Sequence, residues 1–406
     1  MPATFQRETL DNGLSIIAET DPAAHTAAAG FFVRTGARDE RPEVMGVSHF
    51  LEHMMFKGTA RRSADDVNRE FDEIGANYNA YTSGELTCFY ASTLPEHFER
   101  SVDILGDILR PALRQADFDT EKGVILEEIA MYKDNPFWVL YEKAMEQYFG
   151  PHPLAHRVLG TDDTIRALQR DQMQTYFDAR YSADNTVVAL AGRVNFRHAV
   201  EQIKALCGKW SKTGAARDSS APPTREASFT LKDAKVNRAY LLMITPGPSS
   251  TDPRRYAASM LGQVLGGGDN SRLHWALVEP GTAEEAVAAY DPRDGCGDYY
   301  VYASCDPDRA DEVWSVVEAQ IDGLVASLKP DDLERLRNKL ATSVTLAGER
   351  PAGRMQRLGR LWTYERAYRP LEEELAAINA VTLDDLRAVH AAFPFRPRTV
   401  GRMLPA

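Results

Sequence analysis

The sequence predicts an α+β protein of two homologous domains, each a mainly antiparallel sheet packed with helices. Three observations carry this expectation. One order of patterns (strand, strand, helices, hairpin, helices, strand) runs twice along 406 residues. Between the two runs lies GKWSKTGAARDSSAPPT, rich in Gly, Ser, Ala and Pro, the composition of a linker. The chain is also longer than one ordinary core sustains. The expected division is residues 1–210, a linker at 211–225, and 226–406. The repeat is visible in element order, not in residue identity.

The elements follow in turn. Two short strands flank the Asp11-Asn12-Gly13 turn, and TAAAGFFVRTGAR supplies a third. An apolar helix is expected from about Met45 to Lys57, then an amphipathic helix N-capped by Ser63. ANYNAYTS and TCFYASTL alternate around Gly84 as a hairpin. Helical patterns fill 96–110 and 117–148, and NTVVALAG at 185–192 is a buried strand. In the second half, ASFTLKD and RAYLLMITPG precede a helix at 253–267, and AVAAYDP and DYYVYASC precede helices at 308–328 and 330–349. RPRTV at 396–400 supplies the last strand.

Composition excludes several classes. Hydrophobic residues at 44% and charged residues at 26% are ordinary for a soluble globular protein. A formal net charge of −12 argues against a nucleic-acid partner, which needs a basic face. Cys88, Cys207, Cys296 and Cys305 have neither C-x-x-C spacing nor partners at zinc-finger distance. The first twenty residues lack a signal peptide's apolar core, and no run approaches the ~18–20 apolar residues that span a bilayer. A cytoplasmic protein without membrane contact is expected.

The chemistry concentrates in GVSHFLEHMMFKGT, residues 46–59. On a helix, positions i and i+4 share a face, so His49 and His53 can hold one metal ion between them. Glu52, three residues from one histidine and one from the other, lies near that face but not squarely on it. It is suited to sit beside an attacking water rather than on the metal. Zinc with nitrogen and oxygen ligands and one open position lowers the pKa of water, and a neighbouring carboxylate can take the proton and later return it to a leaving amine. Two histidines satisfied inside an apolar helix are the plainer alternative, so a third ligand matters. DTEKGVILEEIAMYKD reads as a helix with Glu121, Glu127 and Glu128. Seven residues make nearly two turns, so Glu121 and Glu128 share a face and Glu127 points about 100° away. His152 and His156 are also four apart, but Pro151 and Pro153 disfavour a helix there.

H-x-x-E-H is an inverted zinc-peptidase signature. Together with GANYNAYTS and EKGVILEEIAMYKDNP it resembles the pitrilysin (M16) family of zinc metallopeptidases, near its processing-peptidase branch of single chains of this length. HPLAHRVLGT, LGGGDNSRL and RMQRLGRLW extend the similarity along most of the chain. The resemblance implies one zinc per chain, held by His49, His53 and Glu128, which stands 75 residues after His53. It implies Glu52 as general base, Glu121 behind the ligand shell, and Asn79 and Ala80 in an edge strand that pairs with the substrate backbone. An open edge captures extended peptides largely regardless of side chains.

One departure stands out. The family completes its site with an Arg and a Tyr seven apart in the second domain of the closed assembly. Here LVEPGTAE places Leu277 and Glu284 at those positions. Arg272 and Tyr290 are nearby donors, but neither has the required spacing. The chain is therefore expected to be the catalytic half of a two-subunit chamber, with a homologous heterodimer partner supplying Arg and Tyr in preference to a second copy of itself. The expected function is a zinc endopeptidase acting on extended peptides or unfolded segments. The alternatives are a non-catalytic assembly subunit of the same fold and a metal-dependent hydrolase of non-peptide amides.

Overall fold

Two sheets organise the chain, and they share one topology. The structure, a computed structural model, describes residues 3–223 and 225–406. The first sheet contains β1 (Thr4–Thr9), β2 (Ser15–Thr20), β3 (Ala27–Val33), β4 (Asn77–Thr82), β5 (Thr87–Thr93) and β6 (Thr186–Gly192), in the order β1-β2-β6-β3-β5-β4. The second contains β7 (Ala227–Asp233), β8 (Ala239–Gly247), β9 (Glu285–Pro292), β10 (Gly297–Cys305) and β11 (Thr399–Pro405), in the order β7-β11-β8-β10-β9. In the first, β2 and β6 run parallel and every other pair is antiparallel; in the second, β7 and β11 do the same. Strands β2 to β6 thus repeat as β7 to β11 in both order and direction.

Two compact units contain these sheets. One comprises Met1–Ile129, His156–Arg217 and Thr345–Arg369; the other comprises Ala130–Ala155, Asp218–Val344 and Pro370–Ala406. Each sheet is therefore covered partly by a helix from the distant half of the sequence. In the first unit, β3 is buried on both faces, as its unbroken apolar run requires. Phe31 enters one core, while Phe32 enters another with Met355, Leu358 and Trp362 of the helix Pro351–Glu365. Gly359 permits that approach, because a Cβ there would meet the Phe32 ring at 2.1 Å. In the second unit, Leu140, Ala144 and Met145 pack with Leu242, Ile244 and Met403.

The helices near the site are α1 (Val47–Met55), α2 (Ala64–Glu73), α3 (Phe98–Ile108), α4 (Gln115–Lys133) and α5 (Pro136–Phe149). Ser63 caps α2 as expected: its hydroxyl accepts the Asp66 N–H at 3.1 Å, and Asp66 accepts the Ser63 N–H at 3.0 Å. The helical patterns expected over 117–148 resolve into two helices, α4 and α5. Pro136 has no N–H to continue α4 and holds Asn135 in extended backbone, from which Asn135 accepts the Phe137 N–H and starts α5. Among the described residues, no helix is long and apolar enough to cross a membrane.

Candidate metal centre

The first unit brings α1 and α4 together through their apolar faces. Val47, Phe50, Leu51, Met54 and Met55 are buried, and the Phe50 ring stacks on Phe118 of α4 with centroids 4.7 Å apart. Phe118, Glu121, Ile125 and Glu128 follow one another at spacings of three and four, so one face of α4 turns two apolar and two acidic groups toward α1. This stripe, not either carboxylate alone, sets where the acids meet the histidines.

His49, His53 and Glu128 lie together, with one donor atom from each inside 4.8 Å. Glu128 Oε2 stands 3.7 Å from His49 Nε2 and 3.6 Å from His53 Nε2. Ligands about 2.1 Å from one tetrahedral ion sit roughly 3.4 Å apart, so this donor set fits a zinc-sized cation. Behind His53, Nδ1 lies 2.9 Å from Glu121 Oε1, while Glu121 Oε2 accepts Lys57 Nζ at 2.6 Å. With its proton on Nδ1, His53 leaves the Nε2 lone pair free for a cation shared with Glu128. Glu127 is exposed and stands apart from the cluster.

Electrostatics act in opposite directions on the two imidazoles. Burial, assisted by His53, depresses the His49 pKa to about 4, which leaves the imidazole neutral. Burial also opposes charge on His53, but the hydrogen bond and charge of Glu121, with Glu128 and Glu52, outweigh it and raise the pKa. Burial pushes Glu121 upward, and His53 and Lys57 more than reverse that. Glu52 stands alongside with its carboxyl raised, chiefly by burial, while the Thr82 hydroxyl donates to Oε2. A carboxylate shifted upward is a better proton acceptor than an exposed one.

Thr82 belongs to β4, which among the described residues pairs only with β5 and forms the edge of its sheet. Asn79 is exposed there and Ala80 half-buried. The Ala80 N–H donates to Asn79 Oδ1 at 2.8 Å, so this amide is not engaged by β5. In the second unit, Leu277 is fully buried in the core and Glu284 is paired with Arg238. Arg272 donates to the Ser327 carbonyl at 2.8 Å and the Tyr290 hydroxyl to Pro248 O at 2.7 Å, so both candidate donors are engaged locally. His156 lies 3.0 Å from the Ala37 carbonyl, and the only helix between it and His152 is a single 3-10 turn, Pro153–Ala155.

Three neighbours of the centre escape the sequence reading. Lys57 was the most accessible, since it follows His53 by only four residues, in the turn just after α1. Thr82 follows Ala80 by two, which places it on the same side of the strand. Glu40 gives no local signal: it sits in the charged run RDERPE, which reads as solvated, yet it is buried.

The chain belongs to the insulinase family, peptidase family M16, whose model matches residues 15–162; the M16 inactive-domain model matches residues 167–340. It is 35% identical over 399 residues to an uncharacterized zinc protease of Streptomyces coelicolor, covering 95% of this chain and 86% of that one. An uncharacterized zinc protease of Bacillus subtilis is 30% identical over 387 residues, covering 94% and 93%. Among solved structures, a protease from Helicobacter pylori superposes with a TM-score of 0.92 over 100% of both chains at 18% identity. A Pseudomonas fluorescens M16 inactive-domain structure gives 0.91 at 17% identity over 99% and 98%. At those identities the likeness concerns the fold.

Proposed function

We propose that this chain is a zinc endopeptidase that hydrolyses extended peptides or unfolded segments. The observation that carries the reading is the convergence of His49, His53 and Glu128 donor atoms beside the partly buried carboxyl of Glu52. The family and the printed names of its relatives agree with it.

In this reading His49 and His53 give nitrogen and Glu128 gives oxygen to one zinc ion per chain. Zinc bound there supplies Lewis acidity toward a water and a peptide carbonyl. Glu52 accepts a proton from the attacking water on the oxygen not held by Thr82, then returns it to the leaving amine. Glu121 fixes the His53 ring through Nδ1, and Lys57 balances its charge. The open edge of β4, at Asn79 and Ala80, aligns an extended backbone as an added strand. Replacing Glu121 by Gln is expected to weaken zinc binding roughly 10–100-fold, as removal of such an outer partner does. Competition with a chromophoric chelator measures this, and parent-like affinity would assign the ring's orientation to packing alone.

Leu277 and Glu284 supply no donor to a developing oxyanion, and losing one such donor costs ~10²–10³ in rate. The reading therefore includes a homologous partner chain that contributes Arg and Tyr. The chain alone is expected to turn over an unstructured polypeptide feebly and to gain on that order when mixed with the partner. Assaying the purified chain while recording its mass in solution tests this. Robust turnover by a pure monomer or homodimer removes the need for a heterodimer.

A further inference from the structure

The two histidines of the candidate metal centre are held in different ways. His53 has its second ring nitrogen bonded to Glu121. His49 has none: its Nδ1 is buried without a hydrogen-bond partner among the described residues. Metal-ligating histidines usually have that nitrogen engaged, because the bond fixes the ring's tautomer and direction. Something else must hold His49.

His49 is the third residue of α1, so its Cα moves with the first helical turn. That turn has no side-chain cap of its own. The capping position is Gly46, with φ +95°, where a Cβ would meet the Leu159 carbonyl at 2.6 Å. The missing acceptors come instead from Glu40, which is 3% exposed. Its Oε2 accepts the Gly46 N–H and its Oε1 the Ser48 N–H, each at 2.7 Å. These are two of the amides that a helix start leaves without an internal partner. The Ser48 side chain is tied down in turn. Its hydroxyl lies 2.7 Å from that of Tyr176, which lies 2.7 Å from Thr35 Oγ1.

We infer that Glu40 is the positioning residue for His49: by clamping the N–H groups of Gly46 and Ser48 it fixes the first turn of α1, and so the ligand that no side-chain hydrogen bond holds. Glu40 itself lies in the strand-to-helix connection and belongs to neither the ligand set nor the proton-transfer groups. The inference rests on His49 being a ligand.

The test compares the isosteric Glu40→Gln and the truncating Glu40→Ala with Asp107→Asn. Asp107 is a second buried carboxylate of the same unit, bonded to Thr59 and Arg62. The readouts are thermal midpoint, zinc affinity by chelator competition, and the visible spectrum of the cobalt-substituted protein, which reports ligand geometry without any turnover. The Glu40 variants are expected to fold, to bind zinc roughly 10–100-fold more weakly and to shift the cobalt bands. Asp107→Asn is expected to lower the midpoint and leave both metal readouts unchanged. Folded Glu40 variants with parent affinity and spectrum overturn the inference. So does an Asp107→Asn protein that loses zinc equally, which would reduce the effect to general loosening. A Glu40→Gln chain that fails to fold overturns it too, because Glu40 would then support the whole unit. His49→Ala serves as the reference: if it keeps zinc, the ligand reading itself has failed.

Discussion

Glu52→Gln is expected to keep its fold and its zinc while losing peptide hydrolysis by roughly 10²–10⁴-fold, the usual range for a positioned proton carrier. The substitution preserves shape, and an amide oxygen still accepts from the Thr82 hydroxyl, so local packing has no reason to change. What disappears is a basic oxygen within reach of the attacking water. Burial makes that oxygen more basic than an exposed carboxylate's, and an amide has no comparable basicity. Zinc content measured on the sample used for kinetics separates the two effects. A zinc-replete Glu52→Gln protein with substantial turnover would give the base's role to another group.

The second large effect concerns the metal. His49→Ala and Glu128→Gln are each expected to lose most of the zinc on dialysis, because an incomplete donor set holds it poorly and Gln exchanges a charged oxygen for a neutral one. Glu127→Gln is expected to retain the parent's content. The two glutamates are adjacent in sequence, yet one stands within 4 Å of both imidazoles and the other is exposed. Metal analysis of the three proteins side by side is the measurement. Zinc retained by Glu128→Gln and lost by Glu127→Gln would place the helix register one residue out.

The sequence reading succeeded where a period links residues along one element. The spacing of four shows His49 and His53 on one face, and the spacing of seven shows Glu121 and Glu128 together. The repeated order of strands and helices likewise announced two sheets of one topology. What stayed hidden depends on contacts between separate elements. An amphipathic helix says that it covers a sheet but not which one, so nothing in 136–149 or 351–365 reveals that each packs against strands from the other half of the chain. Thr82 meets Glu52 across a strand-helix contact, and Glu40 is recognisable only once Gly46 is seen to start α1 without a cap. The helical pattern over 117–148 was legible, but the break within it at Pro136 was not placed.

The central claim is that peptide hydrolysis depends on one zinc ion at the His49–His53–Glu128 cluster. The most direct measurement strips the metal from the native assembly with a chelator. Zinc is then returned in steps while hydrolysis of an unstructured polypeptide is recorded. The account predicts negligible turnover in the stripped protein and a rise that levels off near one equivalent per chain, with no such rise when the chain contains His49→Ala. Full turnover in zinc-free protein, or restoration by zinc despite His49→Ala, would contradict it.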